Sequence, residues 1–131
     1  MSTVQVAAAA ERPTVLLVED EVLIRLMVAD ELRGQGLQVL EASNADEALA
    51  ILESSPSVHL LFTDVRMPGP IDGIALAKLA QARFPQLKLI IASSRQLQES
   101  PWADAFLHKP YDLDKMIEEV ERLLAPARSS G

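Results

Sequence analysis

Three acids, a hydroxyl and an amine stand along the chain in an order that suits phosphoryl chemistry: Glu19-Asp20, Asp64, Ser93 and Lys109. Carboxylates gathered at one place repel one another unless a hard cation neutralises them. An oxygen-lined site with few protein ligands is the kind that Mg2+ (or Mn2+) takes. A lysine ammonium beside it is a point charge fit to hold one phosphoryl oxygen, and a serine hydroxyl can donate to another. A carboxylate attacking phosphorus gives an acyl phosphate, with the cation and the ammonium neutralising charge on the transferring group. Residues so far apart in sequence meet only if the fold gathers them.

The elements able to do so are legible. Val15-Leu16-Leu17-Val18, His59-Leu60-Leu61-Phe62-Thr63 and Leu87-Lys88-Leu89-Ile90-Ile91-Ala92 are short apolar runs of the kind buried on both faces of a sheet. Between and after them the period changes. Ala45, Ala48, Leu49 and Leu52 repeat at helical spacing, as do Leu113, Met116, Ile117, Val120 and Leu124. Asn44 and Glu47 have capping-box spacing, Asp112 is placed as an N-cap, and Gly34 and Gly36 are stop signals for the first helix. Leu76, Leu79, Ala80 and Arg83 outline a further helix, with the Arg83 stem expected on the sheet and Phe84-Pro85 ending it.

Strands alternating with helices demand right-handed crossovers and a parallel sheet covered on both faces. The fold class is therefore α/β: a flavodoxin-like (βα)5 doubly wound sandwich with a five-stranded parallel sheet in the order 2-1-3-4-5. Such sheets bind ligands at the carboxyl ends of their strands, where the strand order reverses. Glu19-Asp20 follow the first strand, Asp64 the third and Lys109-Pro110 the fifth, while Ser93 ends the fourth.

Bulk properties narrow the function. The 131 residues suit one domain, expected over 13–125, with an Ala-rich tail at 1–12 and a small polar one at 126–131. Nineteen acids against twelve bases leave a net charge of −7, which disfavours a nucleic-acid partner. The absence of cysteine removes disulfides and thiolate chemistry and fits a cytoplasmic location. No apolar run approaches a bilayer span, so no membrane association is expected.

The segments VEDE, TDVRMPGPIDG, IIASS and FLHKPYD resemble, in order and over about residues 13–125, the motifs of response-regulator receiver domains of two-component signalling. The resemblance implies Asp64 as phosphoacceptor and Asp20 as a direct metal ligand, with Glu19 acting largely through water and the Arg66 backbone carbonyl completing the shell. It implies Ser93 as the switch hydroxyl, Lys109 as the phosphoryl-binding amine and Phe106 as a rotating aromatic. Pro68 and Gly73 match the family's loop, and Pro110 its cis-proline.

The donor implied is a phosphohistidine on a sensor histidine kinase or histidine phosphotransfer protein. The expected protein is a stand-alone regulator, monomeric or weakly dimeric. It promotes its own phosphotransfer and dephosphorylation without being an enzyme in the usual sense, and it signals to, or passes phosphate to, another protein.

Three departures from the family pattern bear on this. The acid pair is Glu-Asp where Asp-Asp is commonest, and the loop MPGPIDG is one residue longer than usual. Fifteen residues separate Ser93 from Lys109, fewer than usual, and Pro101 interrupts them, so the fourth helix is expected to be short or irregular within 94–104. Arg66 and Arg95 stand two residues after Asp64 and Ser93, positions that in the family it resembles flank the hydrolytic water's path, and they are expected to lengthen the phosphoryl lifetime. His59 and His108 are read as structural.

A haloacid-dehalogenase-like phosphohydrolase needs a second acid two residues after its nucleophile, where this chain has Arg66. The alternative from the binding class is a pseudo-receiver interaction module that works without phosphorylation. Such modules normally lose the acceptor or the lysine, and this chain keeps both.

Overall fold

The computed structural model describes residues 12–54, 57–94 and 103–129. The three apolar runs are the strands β1 (Thr14–Val18), β3 (Leu60–Asp64) and β4 (Lys88–Ser93), and β2 (Gln38–Ala42) and β5 (Ala105–His108) join them. They form one sheet in the order β2-β1-β3-β4-β5, with every neighbouring pair parallel. Between and after them lie α1 (Val22–Gly34), α2 (Ala45–Ser54), α3 (Gly73–Arg83) and α4 (Leu113–Ser129), the four helices among the described residues. None is long and apolar enough to cross a membrane.

Successive strand residues point to opposite faces, so alternate side chains of β1 serve two cores. Val15 and Leu17 pack with Phe62 and Ile90 beneath α1 and α4, whose Val28, Leu32, Met116 and Val120 are buried there. Leu16 and Val18 pack with Leu61 and Ile91 against α2 and α3, through Ala48, Leu52, Leu76 and Ala80. The small alanines at the helical contact points let α2 and α3 lie close on the sheet. Burial on both faces is why β1 and β3 read as unbroken apolar runs.

Local chemistry sets the helix ends. The Glu47 N–H donates to Asn44 Oδ1 at 2.8 Å, while Glu47 Oε1 accepts from the Ser43 backbone N–H at 2.7 Å and from the Ser43 hydroxyl, so the return half of the capping box falls one residue early. Asp72 and Asp112 cap α3 and α4 by accepting from the Ala75 and Lys115 N–H groups. After Gly34 the chain turns through Gly36, whose φ of +85° is natural only to glycine, and enters β2.

One expectation is corrected. Arg83 does not lay its stem on the sheet; it is exposed and pairs with Glu53 of α2 at 2.9 Å, because the buried stripe of α3 runs through Leu76, Ala77 and Ala80. The last helix runs to Ser129. The expected irregular fourth helix lies within 94–104, of which 95–102 are outside the described residues, as are Arg95 and Pro101.

Candidate functional site

Strand register gathers the site. Val18 pairs with Thr63, so Glu19 leaves β1 level with Asp64 at the end of β3. Asp64 pairs with Ala92 and Ser93 with His108, which brings Ser93 and Lys109 out of the two adjacent strands at the same edge. Backbone bonds continue past the strand ends: Glu19 N–H to the Ala42 carbonyl (3.0 Å), Val65 N–H to Ala92 (3.1 Å) and Lys109 N–H to Ser93 (2.7 Å). This edge contains the β1/β3 boundary, where strand order reverses.

Carboxylate oxygens of Glu19, Asp20 and Asp64 all lie within 4.8 Å of one another. Opposite ligands of an octahedral Mg2+ stand about 4 Å apart, so a small contraction closes the three acids on such an ion. Glu19 and Asp64 are buried, while Asp20 is open to the cleft. Lys109 Nζ lies 3.2 Å from Glu19 Oε1 and 3.2 Å from Asp64 Oδ2. The other Glu19 oxygen, Oε2, accepts from the Glu21 N–H at 3.1 Å.

The electrostatics fit a site built for added positive charge. Burial, with the Asp64 charge adding to it, holds the Glu19 carboxyl above its ordinary value despite the Glu21 N–H and the Lys109 ammonium. Burial alone would depress the Lys109 amine, but Asp64 and Glu19 together outweigh it and raise the amine above the usual lysine range. Tyr111 is pushed up to about 12 by burial and by the charges of Glu19 and Asp64. These acids therefore hold more negative charge than one ammonium offsets, which is what a divalent ion would relieve.

Asp20, Asp64, Arg66, Ser93 and Lys109 line one cleft. Ser93 is buried, and Arg66 is exposed at the cleft. Phe106 is half-buried on β5, packed against the α2/α3 core and in register with Ile91. Pro68 precedes Gly69, which turns the loop with φ of +101°, and the Lys109–Pro110 peptide is cis. Gly73 has a reason beyond loop freedom. Its N–H donates to the Val65 carbonyl at 2.8 Å, and a Cβ there would collide with the Asp64 carbonyl oxygen.

Met67, Asp72 and Ile74 also line the cleft and were not singled out from sequence. Asp72 could have been found as an N-cap before a helical run. His59 lies at the far edge of the sheet, where its Nδ1 accepts from the Thr14 N–H at 3.0 Å, and His108 is exposed.

The response regulator receiver domain model matches residues 15–121. The chain belongs to that family. It is 34% identical over 121 residues to the DNA-binding transcriptional regulator NtrC of Salmonella typhimurium, covering 88% of this chain and 25% of that protein. It thus spans about a quarter of the length of that relative. It is 30% identical to sporulation initiation phosphotransferase F of Bacillus subtilis, covering 88% of this chain and 96% of that one. In structure it is similar to the response regulator TrrA of Thermotoga maritima, solved in complex with Mg2+-BeF, with a TM-score of 0.78, 29% identity and coverage of 86% and 99%. Receiver domains are signalling phosphoacceptors that bind Mg2+ in an acidic pocket and take their phosphoryl group from a histidine kinase partner.

Proposed function

We propose that this receiver domain accepts a phosphoryl group from a phosphohistidine onto the Asp64 carboxylate, in a reaction dependent on Mg2+ (or Mn2+). The observation that carries the proposal is the meeting of the three carboxylates within 4.8 Å, with the Lys109 ammonium 3.2 Å from Asp64. An Asp64 oxygen forms the new O–P bond as the donor's P–N bond breaks, and the leaving imidazole keeps the electron pair and takes up a proton. The ion would be held by Asp20, Asp64 and the Arg66 carbonyl, with Glu19 through water, and bound there it supplies neutralising charge to the phosphoryl oxygens. Lys109 supplies a second positive charge, and Ser93 a hydroxyl donor to a third oxygen.

Signalling follows as a population shift in which Ser93 moves toward the phosphoryl group and Phe106, half-buried beside Ile91, follows it. Pro68, Gly73 and Pro110 shape the loops that carry these groups. Arg66, exposed at the cleft, shields the phosphoryl group from water, and we assign Arg95 the same part. Alanine at both positions is expected to speed dephosphorylation; an unchanged rate would reject that assignment.

The nearly full-length match to sporulation initiation phosphotransferase F supports action as a domain of its own, spanning about 13–125. Such a domain hands its phosphoryl group or its altered surface to a separate protein. A net charge of −7 supports a monomer or weak homodimer and a protein partner over nucleic acid. A cytoplasmic location is part of the same proposal.

The test is intact-mass measurement after incubation with acetyl phosphate. A gain of one phosphoryl group is expected with Mg2+, and none with chelator or in Asp64→Asn. The same gain in Asp64→Asn would move the acceptor elsewhere. No gain in the wild type, with no Mg2+-beryllofluoride complex, would favour a pseudo-receiver.

A further inference from the structure

Both metal-site acids on the first strand edge belong to one peptide unit, since the Glu19 carbonyl is the carbonyl of the Glu19–Asp20 bond. Rotation of that unit decides where the Asp20 carboxylate points. Four bonds hold Glu19: its N–H donates to Ala42, its carboxylate accepts from the Glu21 N–H and from Lys109 Nζ, and its carbonyl accepts from Arg25 Nη1 at 2.9 Å. Of these, the last is the one made to the Glu19–Asp20 peptide unit itself.

Arg25 is itself held. It sits in the first turn of α1, its Nε donates to Glu41 Oε1 on β2 at 3.1 Å, and its side chain is 18% exposed. Glu41 Oε2 accepts from Arg33 at 3.1 Å, and Arg33 also donates to the Val39 carbonyl at 3.0 Å. A guanidinium clamped by a carboxylate that is clamped in turn has little rotational freedom left to lose. A planar fork can donate in two fixed directions at once, which a lysine ammonium on a flexible stem cannot.

We propose that Arg25 is a positioning residue for divalent-metal binding: braced by Glu41, it fixes the Glu19–Asp20 peptide so that the Asp20 carboxylate is aimed into the cleft. The inference rests on the metal-site reading above. Arg25 touches neither the ion nor the phosphoryl group in this scheme and acts through the backbone it holds.

Charge and positioning predict opposite signs. A nearby guanidinium repels a divalent cation through space, so its removal by Arg25→Met should tighten Mg2+ binding if charge were its whole effect. If it positions the acid pair, removal weakens binding, by about ten-fold on the scale of supporting residues in metal sites. Arg25→Lys keeps the charge and loses one of the two directed bonds.

The test is calorimetric titration of Mg2+ into the full chain without any phosphodonor, with thermal melts showing that each variant is folded at the titration temperature. Expected is a Kd raised about ten-fold in Arg25→Met and by a smaller factor in Arg25→Lys. A Kd unchanged or lowered in Arg25→Met, or unchanged in Arg25→Lys if the methionine variant does not fold, overturns the inference and leaves the metal site standing. Failure of the wild type to bind Mg2+ overturns both.

Discussion

Lys109 and Glu19 stand ninety positions apart in sequence, yet their charged groups meet at 3.2 Å, with Glu19 almost wholly buried. The ammonium is the local counter-charge for an acid whose burial already raises its pKa. Removing one partner of a buried pair costs about 3 kcal/mol because the other is left uncompensated. Lys109→Met is therefore expected to lose roughly that much stability at about pH 7 in chelator. Without the ammonium, native Glu19 holds its proton to still higher pH than the unfolded chain does. Stability of the variant therefore falls as pH rises through and above the ordinary glutamate range, and the deficit shrinks toward about pH 5. Saturating Mg2+ should restore much of it. Urea melts with and without Mg2+ at both pH values check this, and a deficit indifferent to pH and Mg2+ would sink it.

Gly73 is where α3 meets the end of β3. Because a methyl group there would strike the Asp64 carbonyl oxygen, Gly73→Ala must push the helix start away or shift the end of β3. Overpacking of this kind costs about 1–3 kcal/mol. The same displacement moves the Asp64 carboxylate relative to Lys109, so phosphoryl uptake from acetyl phosphate should slow as well. Chemical-shift mapping should place the largest changes at residues 64, 65 and 73. Wild-type uptake with changes elsewhere would show that the close approach does not matter.

The chain's single tyrosine reports on the site. Tyr111 packs against Phe62 with ring centroids 6.0 Å apart, and its hydroxyl is pushed up to about 12 from 10.0 by burial and by the charges of Glu19 and Asp64. The unfolded chain releases this proton near 10 and the native one near 12, so native stability falls with rising pH across that interval. Lys109, also raised, adds a loss in the same direction above 10.5. Tyrosinate absorbance should titrate near 12 in chelator. Tyr111→Phe should flatten part of the alkaline slope. A midpoint near 10 in chelator would contradict the stated environment.

Strands β1, β3 and β4 were legible because burial on both faces leaves an unbroken apolar signature, which the partly exposed β2 and β5 lack, and Asp64 and Ser93 were legible because they close such runs. Arg83 was misread because a long stem beside a helical stripe is compatible with lying on the sheet or reaching across to Glu53, and the choice depends on where α2 sits. The reason for Gly73 could not be seen, since glycine reads the same whether the chain needs freedom or a neighbouring backbone needs room. Arg25 was invisible for a related reason. Its partners are a backbone carbonyl six residues away and a carboxylate on β2, and no spacing rule connects them.

One face of α1 carries the large exposed apolar side chains among the described residues. Val22, Leu23, Leu26 and Met27 are 54%, 82%, 48% and 52% exposed, and their spacing puts them on one stripe starting beside Asp20 and Glu21, which line the cleft. Apolar surface so close to the proposed acceptor suits a protein donor that would bring a phosphohistidine to Asp64 and leave again. A small donor needs no such surface. Leu23→Ser with Met27→Ser should therefore leave the melting temperature and the rate with acetyl phosphate near wild type, because neither side chain is in the core. Transfer from the most active histidine kinase found by profiling the source genome should slow by about ten-fold, the worth of roughly 1.4 kcal/mol of lost contact. Equal slowing with both donors would mean that the substitutions disturb the site itself, and no slowing with the kinase would mean that the donor docks elsewhere.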